Sequence, residues 1–149
     1  MDRFLDKLNH IWENNIDKVA FIDLYRTFTY RELNVESAKI YAYLKKNNIG
    51  KEDFVQIVMP RGGAIVACML GILKAGAAFA PFEDTYPKDR LDYIKKDINA
   101  KFVLNKEVYE YIMQNEVPLS GYEKTDVHDA AYVIYTSGST GNPKGVLHE

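Results

Sequence analysis

The sequence predicts an α/β fold in which strands and helices alternate and the strands form a largely parallel sheet. Short runs of β-branched and aromatic residues recur along the 149 residues, and segments with helical periodicity separate them. The changes of pattern coincide with glycines, prolines and capping residues, which mark the ends of elements. Because parallel strands need a crossover connection that is usually a helix, this alternation favours a parallel sheet.

The first part of the chain predicts a helix, a strand and a second helix. The segment "DRFLDKLNHIWENN" carries apolar residues at helical spacing. Val19 to Asp23 is predicted to be a strand, and "YRT" is predicted to be the turn that follows it. Thr29 and Glu32 have the spacing of a capping box, which predicts that a helix begins at about Tyr30. That helix runs to about Lys46, where "NNIG" ends it.

The middle of the chain alternates three more strands with three more helices. "FVQIVM" is a strand that Pro60 ends, and "GGAIVACMLGILKAG" is an apolar helix that stops at Gly76. "AAFAPF" is the next strand, and "YPKDRLDYIKKDI" is a helix with Pro87 in its first turn. "AKFVLN" and "KEVYEYIMQN" are the following strand and helix. Because "LKAG" ends one helix and "YP" begins the next, both segments are interpreted as scaffold without ligand contact.

The end of the chain predicts one more strand after a polar segment. Pro118 to Asp129 resembles a linker, although no clear domain boundary or internal repeat is present. "AAYVIYTS", Ala130 to Ser137, is the last apolar strand, and "GVLH" looks like a returning strand.

Composition argues against two classes of partner. A net charge of −2 lacks the basic stripe of an electrostatic nucleic-acid binder, so no nucleic acid is expected. The N-terminus has no continuous apolar region of a signal peptide, and the longest uncharged apolar run, Gly62 to Leu73, is too short to span a bilayer. No membrane partner is expected, and the cytoplasm is the expected location.

The cysteine and histidine residues do not predict a reactive or metal site. Cys68, the only cysteine, lies in an apolar run, which predicts a buried core thiol and no internal disulfide. His10, His128 and His148 are far apart without ligand spacing, so no histidine metal site is expected.

The segment "YTSGSTGNPKG" predicts a phosphate-binding loop. Backbone N–H groups in a tight glycine turn favour an anion, hydroxyl groups donate to it, and a lysine suits phosphate oxygens. The hydroxyl donors are Thr136, Ser137, Ser139 and Thr140, the glycines are Gly138, Gly141 and Gly145, and the cation is Lys144. A surface turn rich in small residues is the alternative. The joint occurrence of these groups directly after an apolar strand favours phosphate binding.

This loop does not have the spacing of a Walker motif. That motif places four residues between its glycines and opens a helix with Gly-Lys-Ser/Thr. Here two residues separate Gly138 from Gly141. Pro143 precedes Lys144 and Gly145 follows it, and both neighbours oppose a helix at the lysine. The loop is therefore not that of a P-loop kinase or GTPase.

Three segments resemble the signatures of the adenylate-forming ligases, which include nonribosomal peptide synthetase adenylation domains, acyl-CoA synthetases and luciferases. "AYVIYTSGSTGNPKGV" resembles the phosphate-loop signature, and "FTYRELN" resembles an early strand-to-helix signature. "GILKAGAAFAPFEDTYPKDRLDYIKKDINAKFVL" resembles the signature between them, in the style of the amino-acid-activating branch. It departs from the common pattern by "FEDTYP", where Asp-Pro usually precedes Tyr-Pro, and by Gly76-Ala77 instead of a glycine pair.

The resemblance implies a reaction with ATP. In this family a carboxylate attacks the α-phosphate, pyrophosphate leaves, and a thiol of a phosphopantetheine carrier protein or of coenzyme A captures the acyl-adenylate. By the same resemblance, the β- and γ-phosphates would contact Thr136, Ser137, Gly138, Ser139, Thr140, Gly141 and Lys144, while Pro143 and Gly145 would shape the loop. The activated acid is expected to be an amino acid, with a fragment of an acyl-CoA synthetase as the alternative.

The resemblance also implies that other parts of the site follow Glu149. These are the Mg²⁺ ligand, the groups that hold adenine and ribose, the substrate pocket and a catalytic lysine. Residues 1–149 are therefore expected to be a partial N-terminal subdomain of an adenylation domain, inactive alone, with ATP and Mg²⁺ used by the complete enzyme. A non-catalytic interaction or scaffold module and a standalone nucleotide or pyrophosphate binder remain alternatives. Self-association is expected if "AAYVIYTS" forms a free sheet edge.

Overall fold

The computed structural model describes residues 4–137 and 141–149, without the side chain of Ser137. The described helices are α1 (Phe4–Asn15), α2 (Tyr30–Lys46), α3 (Gly63–Lys74), α4 (Lys88–Asp97) and α5 (Lys106–Asn115). The described strands are β1 (Val19–Ile22), β2 (Thr27–Thr29), β3 (Phe54–Met59), β4 (Ala78–Glu83), β5 (Phe102–Asn105), β6 (Tyr132–Ser137) and β7 (Pro143–His148).

Five of the strands form a mostly parallel sheet, which confirms the predicted α/β fold class. Their order is β5-β3-β4-β6-β7, and among the described pairs of this sheet only β6–β7 is antiparallel. The sheet has helices on both faces, as parallel sheets usually do. Val55 and Ile57 pack in a core with α2, α3 and α5, whereas the alternating residue Gln56 donates its side-chain amide to Leu91 O of α4 at 3.0 Å.

The open sheet edge on which the expected self-association depends is not present at β6. The strand β7 returns beside β6 and pairs with it from Tyr132↔His148 to Ser137↔Pro143. The predicted returning strand "GVLH" therefore covers that edge. Among the described strands, β5 and β7 are the edges of the five-stranded sheet.

The short strand β2 was not predicted from the residue pattern, although the resemblance of "FTYRELN" to a strand-to-helix signature implies a strand before α2. It pairs with β1 as a separate antiparallel hairpin, with Ile22 opposite Thr27 and Phe21 opposite Phe28. Three residues are too few to show a period-2 pattern, so the strand depends on its partner rather than on its own sequence. The turn between the two strands is closed by a hydrogen bond from Asp23 N to Arg26 O at 3.1 Å, so the predicted turn "YRT" is partly correct and Thr27 already belongs to β2.

The predicted helix boundaries follow local signals. Thr29 and Glu32 form the complete capping box at the start of α2, with the Thr29 N–H donating to the Glu32 carboxylate at 2.7 Å. The helix α3 ends where Gly76 takes a φ of 78°, a left-handed value that glycine adopts without strain. In α4, Pro87 is the N-cap and the helix begins at Lys88, one residue after the predicted start.

The helix α3 buries two polar side-chain groups, the thiol of Cys68 and the ammonium group of Lys74. Cys68 is fully buried, as predicted, and burial raises the pKa of its thiol. Lys74 is 5% exposed, donates to Asn34 Oδ1 at 2.9 Å, and lies 4.8 Å from the centroid of the Trp12 ring. Burial lowers the pKa of Lys74 to about 8.

The linker-like segment is attached to the core although it has no helix or strand. Leu119 N donates to Ala38 O at 3.2 Å, and Glu123 N donates to Lys74 O at 2.7 Å. The Glu123 carboxylate also accepts from the Tyr41 hydroxyl at 2.6 Å. These contacts place the segment along α2 and α3 and lead the chain into β6. None of the described helices is long and apolar enough to cross a membrane.

Candidate functional site

The predicted phosphate loop lies at the end of the hairpin formed by β6 and β7. The register pairs Ser137 with Pro143, so residues 138–142 connect the two strands. The connection follows the carboxyl end of β6, which runs parallel to β4. In open α/β sheets ligands bind beside the carboxyl ends of the strands, so the position suits a binding site.

Thr136 and Lys144 face each other across this hairpin. They are cross-strand partners in the antiparallel register, and such partners project from the same face with Cβ atoms about 5 Å apart. Both residues are exposed. A hydroxyl donor and a mobile ammonium group therefore reach solvent side by side, next to the loop.

The rest of that face is apolar or aromatic. Ile134 is opposite Val146, and the two are 40% and 48% exposed. Farther from the loop, the rings of Tyr132 and His148 stack with centroids 4.5 Å apart. His148 is thus engaged with an aromatic ring, and His128 lies 3.3 Å from a Glu149 carboxylate oxygen.

The opposite face of the hairpin is held against α4 by Tyr135. Its ring lies 6.0 Å from the ring of Phe82, which in turn lies 5.3 Å from that of Tyr86. Its hydroxyl donates to the Asp97 carboxylate at 2.5 Å. Burial and this carboxylate raise the pKa of Tyr135 above the usual tyrosine range, so the hydroxyl stays protonated and remains a donor.

Gly145 has a specific steric reason to be glycine. It lies opposite Tyr135, and a Cβ at this position would be 3.0 Å from Tyr135 Cζ and 3.0 Å from Val133 Cγ1. The missing side chain lets the tyrosine ring cross the strand. Pro143 is half-buried at the first position of β7, where a proline is tolerated. The loop-shaping roles of Pro143 and Gly145 remain predictions.

The structure brings together part of the predicted residue set. Thr136 and Lys144 lie on one face, and Gly141 adopts a φ of 84° just before the returning strand. Gly138, Ser139 and Thr140 lie outside the described residues, as does the side chain of Ser137. Within residues 4–137 and 141–149, no group of three or more histidine, cysteine or acidic residues could hold a metal ion.

Sequence reasoning did not find the contact between Tyr135 and Asp97. The two residues are 38 positions apart, and neither belongs to a spacing pattern that predicts contact. It also did not find an apolar cleft of about 520 Å³ between the linker-like segment, α1 and the start of β6. Its lining includes Phe4, Leu73, Phe79, Val127 and Tyr132.

Comparisons with known proteins agree with the motifs. The family model described as AMP-binding enzyme matches residues 8–149. Bacitracin synthase 1 of Bacillus licheniformis is 34% identical in an alignment that covers 89% of this chain and 3% of that protein. A dimodular nonribosomal peptide synthase of Bacillus subtilis is 35% identical in an alignment that covers 79% of this chain and 6% of that protein. The chain thus spans a small part of the length of these relatives.

Solved structures show the same fold. The N-terminal subdomain of Klebsiella oxytoca NpsA, in complex with 3-hydroxyanthranilyl-AMSN, has a TM-score of 0.87 and 28% identity. The match covers 99% of this chain and 40% of that one. The N-terminal domain of FACL13 from Mycobacterium tuberculosis, at 18% identity and a TM-score of 0.87, shares the fold. With its signatures, its parallel sheet and its similarity to peptide synthetases, this chain belongs to the AMP-binding, adenylate-forming enzyme family.

Proposed function

We propose that this chain supplies the phosphate-binding hairpin of an enzyme domain that activates an amino-acid carboxylate as acyl-AMP. Pyrophosphate is released, and the acyl group then passes to the phosphopantetheine thiol of a carrier protein. The observation that carries the proposal is the pairing of Thr136 with Lys144 at the carboxyl end of β6, directly beside the loop.

The chemistry needs positive charge where pyrophosphate departs. When the substrate carboxylate attacks the α-phosphorus of ATP, the bond to the bridging oxygen breaks and negative charge grows on the leaving pyrophosphate. Fixed donors and a cation aimed at that charge lower the barrier. Lys144 contributes the cation, and Thr136 contributes a hydroxyl donor from the opposite strand. The loop donors that complete the proposed set are Ser137, Gly138, Ser139, Thr140 and Gly141.

We propose residues 1–149 as part of the larger subdomain of such an adenylation domain. The solved NpsA subdomain aligns with 99% of this chain and is longer than it. The ligand of Mg²⁺, the adenine contacts and the pocket for the activated acid are not assigned to any residue of this chain. ATP and Mg²⁺ are therefore proposed as requirements of the complete enzyme, and the 149 residues alone are proposed to be inactive.

The relatives favour an amino acid as the activated acid. Peptide synthetases are 34–35% identical to this chain. An adenylation–PCP di-domain has been built by fusing NpsA to ThdA, which supports a carrier protein as the proposed acceptor. The aryl acids in the NpsA complexes make aryl carboxylates a necessary part of any substrate panel.

The experiment is ATP–pyrophosphate exchange in the adenylating protein that contains this chain, with a panel of amino acids and aryl acids. Substrate-dependent exchange is expected, and Lys144→Ala should lower it by about a hundredfold or more, as expected for the loss of one electrostatic donor. Lys7→Ala is the control, because Lys7 is an exposed lysine on α1. Exchange that is unchanged in Lys144→Ala would contradict the role of this lysine, and absence of exchange with every acid would contradict the reaction.

A further inference from the structure

The loop end of the β6–β7 hairpin is joined to β4 by side chains rather than by a backbone ladder. Among the described residues, the register between β4 and β6 contains one pair, Phe79↔Tyr132, supported by a hydrogen bond from Phe79 N to Ala131 O at 3.1 Å. From Val133 onward, the described residues of β6 have their ladder partners in β7. The backbone of the sheet therefore does not fix the orientation of the part of the hairpin that carries the phosphate loop.

Tyr135 supplies a connection at that end. Its ring contacts Phe82 at the end of β4, and its hydroxyl donates to Asp97, the last residue of α4. It also lies across Gly145, so one side chain touches both strands of the hairpin. Because Tyr135 directly precedes Thr136, any change in its position passes to the proposed phosphate contacts.

We infer that Tyr135 and Asp97 are positioning residues for the phosphate-binding hairpin. They hold β6 and β7 at one angle to β4, and thereby hold Thr136 and Lys144 where the β- and γ-phosphates are bound. This inference rests on the proposed function. Tyr135 projects toward α4, whereas Thr136 and Lys144 project from the other face, so Tyr135 acts through the backbone and not on the nucleotide.

A simpler interpretation is that Tyr135 only packs a core. Its ring belongs to the cluster of Ala80, Phe82, Ile94 and Val133 between the sheet and α4, and removing the ring would lower stability. The bond to Asp97 is different, because Asp97 is an exposed residue. A hydrogen bond at such a position contributes little to global stability, yet it can fix the orientation of an otherwise weakly paired hairpin.

The variants separate these two interpretations. Tyr135→Phe keeps the ring and removes the hydroxyl that reaches Asp97. Asp97→Ala removes the acceptor, while Asp97→Asn keeps an oxygen that can accept from the tyrosine. Asp92→Ala is the matched control, because Asp92 is another exposed carboxylate on α4. Each variant is made in the complete adenylating protein and assayed by ATP–pyrophosphate exchange, with the acid of highest rate in the panel.

The expected result is a selective effect on the nucleotide. Tyr135→Phe and Asp97→Ala should raise the KM for ATP by about threefold to tenfold, the size of one lost hydrogen bond. The KM for the acid and the thermal midpoint should stay at the wild-type values, and Asp97→Asn and Asp92→Ala should behave as wild type. Hydrogen exchange gives a second readout, in which Tyr135→Phe should speed exchange at the amides of Thr136 and Lys144.

Two results would overturn the inference. One is a Tyr135→Phe protein whose KM for ATP and amide exchange equal those of wild type. The other is a Tyr135→Phe protein in which the KM for ATP and the KM for the acid rise equally and the thermal midpoint falls, because that result is expected if the side chain only packs the core.

Lys144→Ala separates this inference from the proposed function. If Lys144→Ala abolishes exchange and Tyr135→Phe changes nothing, only the positioning role fails, and if Lys144→Ala changes nothing, the proposed function fails. If the Asp97→Ala protein does not fold, the results for Tyr135→Phe alone decide whether the positioning role holds.

Discussion

The carboxylate of Asp23 accepts a hydrogen bond from the backbone N–H of Gly63 at 2.9 Å, although 40 residues separate them. Gly63 begins α3, and the first N–H groups of a helix have no partner within the helix and favour a negative charge. The same carboxylate accepts from Tyr25 N at 2.7 Å and Arg26 N at 2.8 Å. This one carboxylate therefore both closes the turn of the β1–β2 hairpin and caps the N-terminus of α3.

Replacing Asp23 should destabilise the fold in a pH-dependent manner. The N–H of Gly63, followed by those of Arg26 and Tyr25, lowers the pKa of Asp23. A carboxylate with a lowered folded-state pKa stabilises the protein above its unfolded pKa of about 4, and that stabilisation is lost as the pH falls through the folded value. Asp23→Asn should therefore melt at a lower temperature than wild type at pH 7.

Thermal unfolding at pH 7 and at about pH 3 checks this prediction. The difference between wild type and Asp23→Asn should shrink at the acidic pH, because the unfolded chain then binds a proton at Asp23 and the stabilisation by the charged carboxylate decreases. Asp92→Asn on the exposed surface of α4 is the control and should melt as wild type does at pH 7. A difference that stays constant across the two pH values would contradict the role of the charge.

Lys74 predicts a pH dependence of the same sign, but in the alkaline range. Burial lowers the pKa of its ammonium group to about 8 from 10.5. Between these values the unfolded chain binds more protons than the folded one, so the free energy of unfolding rises with pH. The gain attributable to Lys74 is about 3 kcal/mol when the pH passes from below 8 to above 10.5. The contacts with Asn34 and Trp12 keep the charged form inside the fold below pH 8.

Urea denaturation between pH 7 and 10 measures this effect. The wild-type free energy of unfolding should rise relative to that of Lys74→Met across this window, because the variant has no group to deprotonate. Lys95→Met removes an exposed lysine from α4 and should give a curve parallel to that of wild type. If the curves of wild type and Lys74→Met are parallel too, Lys74 does not titrate in this range.

The sequence predicted the features that depend on neighbouring residues. The capping box of Thr29 and Glu32 and the helix stop at Gly76 were both located correctly, because each is a local hydrogen-bonding or backbone requirement. The contacts of Asp23 with Gly63 and of Tyr135 with Asp97 join residues about 40 positions apart, and no local pattern encodes them. The partner of β6 was missed for a similar reason, since the returning strand was recognised without being paired.

In the candidate site, too, the local features were predictable from the sequence and the contacts between distant residues were not. The residue types of the loop indicated phosphate binding from composition and spacing alone. The face that each residue occupies required the register, which places Thr136 with Lys144 and places Tyr135 with Gly145. Strand alternation fixes these faces only when both strands and their pairing are known.

Adding a methyl group at Gly145 should disturb the hairpin. The Cβ of Gly145→Ala would lie 3.0 Å from Tyr135 Cζ, so the ring or the strand must move. Overpacking of this kind costs about 1–3 kcal/mol, and it should also lower ATP–pyrophosphate exchange if Lys144 is displaced with its strand. The double variant Tyr135→Ala, Gly145→Ala removes the close contact with the tyrosine ring and leaves the one with Val133.

A double-mutant cycle of thermodynamic stability checks the Gly145 prediction. The two changes should be less destabilising together than the sum of their separate effects, because the second relieves the contact that the first creates. Additive effects would mean that Gly145 is not needed for the packing of Tyr135.

The 149-residue chain should bind ATP and pyrophosphate weakly. The hairpin presents Thr136 and Lys144 to solvent, and no described residue of the chain has been assigned to the adenine or to Mg²⁺. The exposed side chains of Thr136 and Lys144 would also lose conformational freedom on binding an anion, which offsets part of the electrostatic gain. Calorimetric titration with each compound should give dissociation constants weaker than about 10 μM, or about −7 kcal/mol.

Lys144→Ala should weaken any measurable pyrophosphate binding further, while Lys7→Ala leaves it unchanged. Tighter binding of ATP than of pyrophosphate would favour a standalone nucleotide binder instead, because it would require contacts to the adenosine within these residues.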